Sequence, residues 1–192
     1  MPDDELLDVL RGLRDRGALG ETSLADAVRH AEAFLEALPP SARRVIDLGS
    51  GGGLPGLVLA TRLPHVTFVL TDRRERRMDL LRMACARLQL ADRVSVITSD
   101  VVQLARRHEF AGKFDAATAR AFGDPIVTLR YARPFLDADG VVIVSEPPDL
   151  ALCPRDDSHA ALRWPPEVVR DLGFRLSATT FPAVRRIERL TR

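Results

Sequence analysis

Val45-Ile-Asp-Leu-Gly-Ser-Gly-Gly-Gly-Leu-Pro-Gly56 joins a strand-like apolar run to a helix-like one through a turn with glycines at 49, 51 and 53. Glycine has no Cβ, so such a turn lets the backbone approach a bound molecule closely. The helix that follows offers unpaired N–H groups and a partial positive charge, which suits a ligand carboxylate or phosphate. Gly51-x-Gly53-x-x-Gly56 also fits the dinucleotide fingerprint, so the glycines alone leave the ligand open. Asp47, two residues before the first glycine, chooses between the possibilities. A carboxylate there repels a pyrophosphate and attracts a ligand that carries an ammonium and a sulfonium. S-adenosylmethionine is such a ligand.

Asp72 ends the next apolar run, 25 residues after Asp47, where an acid can accept hydrogen bonds from both hydroxyls of a ribose. Asp100 ends the run after that and could accept from an adenine amino group, although an acid at this place also serves as a helix cap. Three acids at the carboxyl ends of consecutive parallel strands point to a ligand in the crevice of an open α/β sheet. The candidate donor-binding set is Asp47, Gly49, Ser50, Gly51, Gly53 and Leu54 at the first turn, Asp72 and Arg73 at the second, Asp100 and Val101 at the third, and Arg120 at the fourth.

The elements that must position these residues alternate. Strands are predicted at 44–48, 66–71, 94–99, 114–119 and 140–145, with helices at about 56–63, 74–90, 101–108 and 124–136. Asp124-Pro125 supplies a cap and a proline at the first helical position for the last of these. Such alternation gives a doubly wound, Rossmann-like parallel sheet with helices on both faces. A short helix over Glu167–Leu172 closes at Gly173, and the runs Phe174–Phe181 and Arg185–Leu190 lie too close together for anything but an antiparallel hairpin. Two helices come before the sheet. Asp3 or Asp4 is the expected cap of the first, with Leu6, Leu10 and Leu13 on one face and Gly17 at its end. Ser23 caps the second, and Pro39-Pro40 stop it. The expected organisation is an N-terminal helical cap over 1–43 and a donor-binding domain over 44–192.

Asp-x-Gly-x-Gly-x-Gly, the acids after strands two and three and the terminal hairpin resemble a class I S-adenosylmethionine-dependent methyltransferase. Within that class, Asp47-Leu-Gly-Ser-Gly-Gly-Gly-Leu-Pro-Gly56, Ala119-Arg-Ala-Phe122 and Arg29-His30 resemble the RsmG (GidB) family. The resemblance implies methylation of N7 of a guanine in small-subunit (16S) ribosomal RNA, with the RNA or the small ribosomal subunit as partner. Arg120 is the expected catalytic residue, bonding the guanine O6 while N7 stays free for attack. The chain departs from the family pattern in three places: Ser145-Glu146-Pro147-Pro148 where similar proteins carry a lysine, Asp100 in place of an arginine, and Ala33-Phe34 in place of an acid–serine pair. The Asn/Asp-Pro-Pro-aromatic signature of amino-methyltransferases is absent after strand four, which argues against an exocyclic amine as target.

Composition excludes several classes. The 192 residues carry 46% apolar and 29% charged side chains, which suits a globular core and rules out a fibrous or disordered chain. The longest stretch free of charge, Leu48–Thr61, spans 14 residues and holds five glycines, too short and too glycine-rich for a membrane helix. With an acidic Met-Pro-Asp-Asp-Glu start, the expected place is the cytoplasm, and the expected state a monomer. Cys85 and Cys153 read as two reduced thiols. A net charge of +1 does not announce a nucleic-acid partner, but 27 of the 28 basic residues are arginine, clustered at Arg73–Arg77, at Arg106-Arg107 and along Arg185–Arg192. No convincing metal ligand set is present; Asp156, Asp157 and His159 read as a solvated loop, and His65 and His108 as surface residues. Rival readings are a small-molecule methyltransferase, a diverged relative without activity, and an NADP-dependent oxidoreductase whose 2′-phosphate would meet Arg73–Arg77.

Overall fold

The structure is a computed structural model that describes residues 2–21, 23–146 and 162–190. A seven-stranded sheet runs in the order β3-β2-β1-β4-β5-β7-β6. Its parallel part is β1 (Arg44–Leu48), β2 (Thr67–Asp72), β3 (Val94–Thr98), β4 (Phe114–Ala119) and β5 (Leu136–Ser145). β6 (Phe174–Leu176) and β7 (Val184–Arg189) form the antiparallel hairpin, and β7 also pairs antiparallel with β5. The crossovers are α3 (Gly56–Arg62), α4 (Glu75–Arg87), α5 (Val101–Ala105) and α6 (Pro125–Ala132), the last followed by a 3-10 turn at Arg133–Phe135. The helices α1 (Pro2–Asp15) and α2 (Leu24–Ala37) precede the sheet, and α7 (Pro166–Asp171) precedes the hairpin.

Alternation along the strands explains the two-sided burial. Val45 of β1 joins a core with α1 to α4, whereas Ile46 and Leu48 join a second core with α5, α6 and α7. Asp47 and Thr118 point the same way as Val45, so both polar side chains enter the first layer near its upper rim.

Differences from the predicted bounds have local causes. β5 begins at Leu136, four residues early, because Leu136 pairs with Phe114 across an irregularity that leaves Ala138 and Asp139 exposed. α5 stops at Ala105, and Arg106 caps it through bonds to Gln103 and Leu104. The first helix starts at Pro2, with proline in its favoured initial position, so Asp3 and Asp4 lie inside its first turn. Ser23 does cap α2, its side chain accepting from Asp26 N, and Leu38 before Pro39 is extended as proline requires.

α1 and α2 share the first core: Leu6, Leu10 and Phe34 are fully buried against the same cluster as Leu57 and Leu81. Phe34→Ala is expected to lower stability by about 3–5 kcal/mol, read as a lower midpoint in urea.

Candidate functional site

Asp47 leaves β1 only 1% exposed. Its Oδ1 accepts from Thr118 Oγ1 at 2.7 Å, while Oδ2 has no hydrogen-bond partner and stands where a Cβ on Gly56 would approach to 2.9 Å. Burial pushes its carboxyl up from 3.8 to about 6, against the pull of the Thr118 hydroxyl, of the Ser50 and Gly56 polar groups beside it and of the Arg120 charge. A buried carboxylate with one unsatisfied oxygen calls for a cationic donor. Because Asp47 itself faces the first residue of α3, and Gly53 O accepts from Leu57 N, the start of that helix does not stand open to a ligand anion as the turn suggested.

The turn is built from within. Ser50 is buried; its hydroxyl donates to Asp47 O at 2.9 Å and accepts from Thr71 N at 3.1 Å, tying the turn to β2. Gly49 at φ +71 has its open side covered by Phe122, whose Cδ2 would lie 2.5 Å from a Cβ there. Gly53 at φ +92 faces Leu57 and Leu81, and Leu54 is buried in the first core, so these two and Ser50 shape the turn from behind. Gly51 faces Asp72 Oδ2 and Arg77. Gly49→Val is expected to displace Phe122 and strain the turn, with loss of both donor binding and stability in a thermal-shift titration.

A cleft of about 280 Å³ opens along the rim beside Gly49, Asp72, Arg73, Asp100 and Val101. Five of the residues proposed from sequence therefore line one cavity. Asp72 is 5% exposed and accepts from Arg74 N at 2.9 Å. Asp100 lines the cleft and also caps α5 through Val102 N at 2.9 Å, the helix-capping role foreseen for it. Asp47, 1% exposed, does not itself line this cleft.

One wall was not foreseen. Phe122 and Tyr131 meet edge to face with centroids 6.2 Å apart, and with Ala121 and Val127 they line the cavity from the β4–α6 side, while Ser99 stands next to Asp100. Tyr131 is the chain's single tyrosine, a signal that periodicity arguments pass over. Phe122 owes its position to the turn after β4, where Ala121 takes φ +50 and its N–H donates to Ser145 Oγ at 3.3 Å.

Arg120 begins that turn, half-buried on the Asp47 side of the sheet. Burial holds its guanidinium below the ordinary arginine range, and the Asp47 charge opposes this. His30 on α2 is lowered by burial and then by Arg120, and its Nε2 has no partner. Asp47, Arg120 and His30 thus form one electrostatic group. Phe34, at a departure from the family pattern, belongs to the core, with Ala33 packed against it.

Other candidates stay apart. Cys85 is buried in α4 with its thiol pushed up to about 11 by burial, and His65 and His108 are exposed. Asp156, Asp157, His159 and Cys153 lie outside the described residues. Among the described residues no cluster of metal-ligating side chains occurs, and no helix is long and apolar enough to cross a membrane.

The family model for rRNA small subunit methyltransferase G matches residues 9–146. The chain belongs to this family. Ribosomal RNA small subunit methyltransferase G of Rubrobacter xylanophilus is 35% identical over 142 residues, covering 71% of this chain and 54% of that protein. That of Prochlorococcus marinus is 39% identical over 102 residues, 53% of this chain and 41% of that one. The chain spans about half the length of the curated relatives it matches. Among solved structures, cofactor-bound Rv0187 from MTB superposes with a TM-score of 0.71 at 19% identity, and the Bacillus cereus O-methyltransferase in complex with SAH with 0.69 at 16%, each over 97% of this chain and 90% of that one. These likenesses establish the class I methyltransferase fold.

Proposed function

We propose that the protein is an S-adenosylmethionine-dependent methyltransferase of small-subunit ribosomal RNA, and that its target atom is N7 of a guanine. The observation that carries the reading is Asp47: a buried carboxylate with an unsatisfied oxygen beneath a glycine turn, in a chain of this family. When bound, S-adenosylmethionine supplies an electrophilic methyl group on a sulfonium. Asp47 would hold its ammonium, Asp72 its ribose hydroxyls and Asp100 its adenine amino group, with Phe122 and Tyr131 packing on its apolar faces. The acids that suit this donor disfavour the pyrophosphate of a dinucleotide.

Guanine N7 has a free lone pair, so no residue has to remove a proton, and the protein's work is placement. Arg120 would donate to O6 and leave N7 exposed. Ala18 and Leu19, between α1 and α2, press on Gly52, where a Cβ would come within 2.4 Å of Leu19; this supports residues 1–43 as a cap over the donor turn. The reading carries with it a monomer working in the cytoplasm.

Donor affinity should depend on pH through Asp47. The carboxyl is raised to about 6, and only its ionised form attracts an ammonium, so affinity is full at pH 7 and falls as pH drops through 6. Calorimetric titration across pH 5–7 shows this directly.

Full-length protein incubated with labelled donor and unmethylated small subunits is expected to yield 7-methylguanosine in the RNA, identified by nucleoside mass spectrometry. No incorporation, or label on another atom, overturns the acceptor assignment.

A further inference from the structure

One glutamate and two arginines gather at the carboxyl end of β5, outside the donor cleft. Glu146 follows the last residue of β5 and is 8% exposed. Its Oε1 accepts from Nε1 of the fully buried Trp164 at 2.6 Å, and its N–H donates to Ala183 O at 2.8 Å. Arg163 Nε lies 2.7 Å from Oε2, and Arg185 Nε 3.6 Å from Oε1. The carboxylate is thus held between two separate stretches of chain, Arg163-Trp164 and Arg185.

The charges do not cancel. A buried carboxylate is neutralised by one cation, and here two guanidiniums face it, leaving one positive charge over among the described residues. The closest approach in each pair is made by Nε, and both Nε atoms are sealed from solvent. Yet 25% of the Arg163 side chain and 27% of the Arg185 side chain remain exposed. A guanidinium has five N–H donors, so each arginine keeps Nη donors to spare after facing Glu146. Two arginines aimed by a fixed carboxylate make a preordered fork of the kind that takes phosphate. The cluster stands on the same rim of the sheet as the donor cleft. Ser145, the residue before Glu146, accepts from Ala121 N–H, so the cluster adjoins the turn that carries Arg120 and Phe122.

We propose that Arg163 and Arg185 form a phosphate-binding subsite for the backbone of the RNA acceptor, with Glu146 as the residue that positions them. The inference rests on the RNA reading above and deepens it. Near-neutral net charge is then no obstacle to RNA binding, because one local surplus next to the reacting site suffices to place a phosphate.

The test is the salt dependence of binding between the full chain and a small-subunit RNA fragment, followed by fluorescence anisotropy. Each phosphate contact to single-stranded RNA contributes about 0.7 to the slope of log K against log salt. Arg163→Gln and Arg185→Gln should each reduce the slope by about that amount and weaken binding alike for different RNA sequences. Arg163→Lys and Arg185→Lys should keep it. Glu146→Gln removes the carboxylate that aims both guanidiniums and should lower the slope and the RNA affinity. Affinity for S-adenosylmethionine should stay within about twofold in every variant, which also reports the fold; each single arginine variant leaves Glu146 one cation. Unchanged slopes in both glutamine variants overturn the subsite and leave the methyltransferase reading standing. Should those variants fail to fold, Glu146→Gln decides, and an unchanged slope and RNA affinity in it overturn the subsite. Failure of the unaltered protein to bind the RNA overturns the RNA reading and the subsite together.

Discussion

Asp47→Asn should abolish donor binding while leaving the protein as stable as before, or more so. The carboxylate is fully buried with only Thr118 bonded to Oδ1 and nothing to Oδ2, so at neutral pH its charge costs the folded state free energy. A rise from 3.8 to about 6 corresponds to roughly 3 kcal/mol, present above pH 6 and vanishing as the pH falls toward 4 and the group is protonated in both states. Asparagine keeps the shape and an oxygen for Thr118 but carries no charge. The ammonium of the donor loses its counter-ion, for which a loss of about 100-fold or more in affinity is expected from the 2–5 kcal/mol typical of a buried charge pair. Calorimetry with S-adenosylmethionine and a thermal melt on the same sample read both effects. A purely structural Asp47 would give the reverse: a lower melting temperature with donor binding retained in the fraction that stays folded.

Arg120→Gln should reduce methyl transfer about 100-fold, a loss in the range seen when one directed donor is removed from an active site. It should leave donor affinity at pH 8 nearly intact. Its second signature is in the pH profile. Arg120 lowers the carboxyl of Asp47 and, by its charge, the imidazole of His30. Without it the midpoint for donor binding should move up from about 6, and His30 should titrate at higher pH. Glutamine that merely disturbed the turn would lower activity without moving that midpoint. Single-turnover rates on small subunits, with donor titrations at several pH values, separate the two.

How far the primary structure carried this account depends on the range of the interaction involved. β1 and β4 fall where alternation and flanking charges put them, and α6 starts where Asp124-Pro125 says it should, because these signals are local. β5 hides its first four residues since Asp137, Ala138 and Asp139 look like loop and only the pairing of Leu136 with Phe114 makes them strand. The acids at 72 and 100 could be placed because a parallel strand has one carboxyl end, and there the chain turns into the cleft.

Long-range features were out of reach. Thr118 holds Asp47 across 71 positions, and nothing near either residue announces the bond. Gly53 and Leu54 match a ligand-binding spacing, yet one faces Leu57 and the other packs in the core, a distinction that spacing cannot carry. Glu146 stood out only as an acid where the family resemblance implied a lysine; Arg163, Arg185 and Trp164 around it explain how a negative charge is accommodated there.

The account stands on the affinity of the unaltered protein for S-adenosylmethionine at pH 7 and pH 5, set beside NADP. Between these values the donor amine stays protonated, so a change reports the protein. Tight binding of S-adenosylmethionine at pH 7, about tenfold weaker at pH 5, with no heat from NADP, is what a buried Asp47 raised to about 6 requires. An affinity flat across that interval, or heat from NADP in place of the methyl donor, would contradict it.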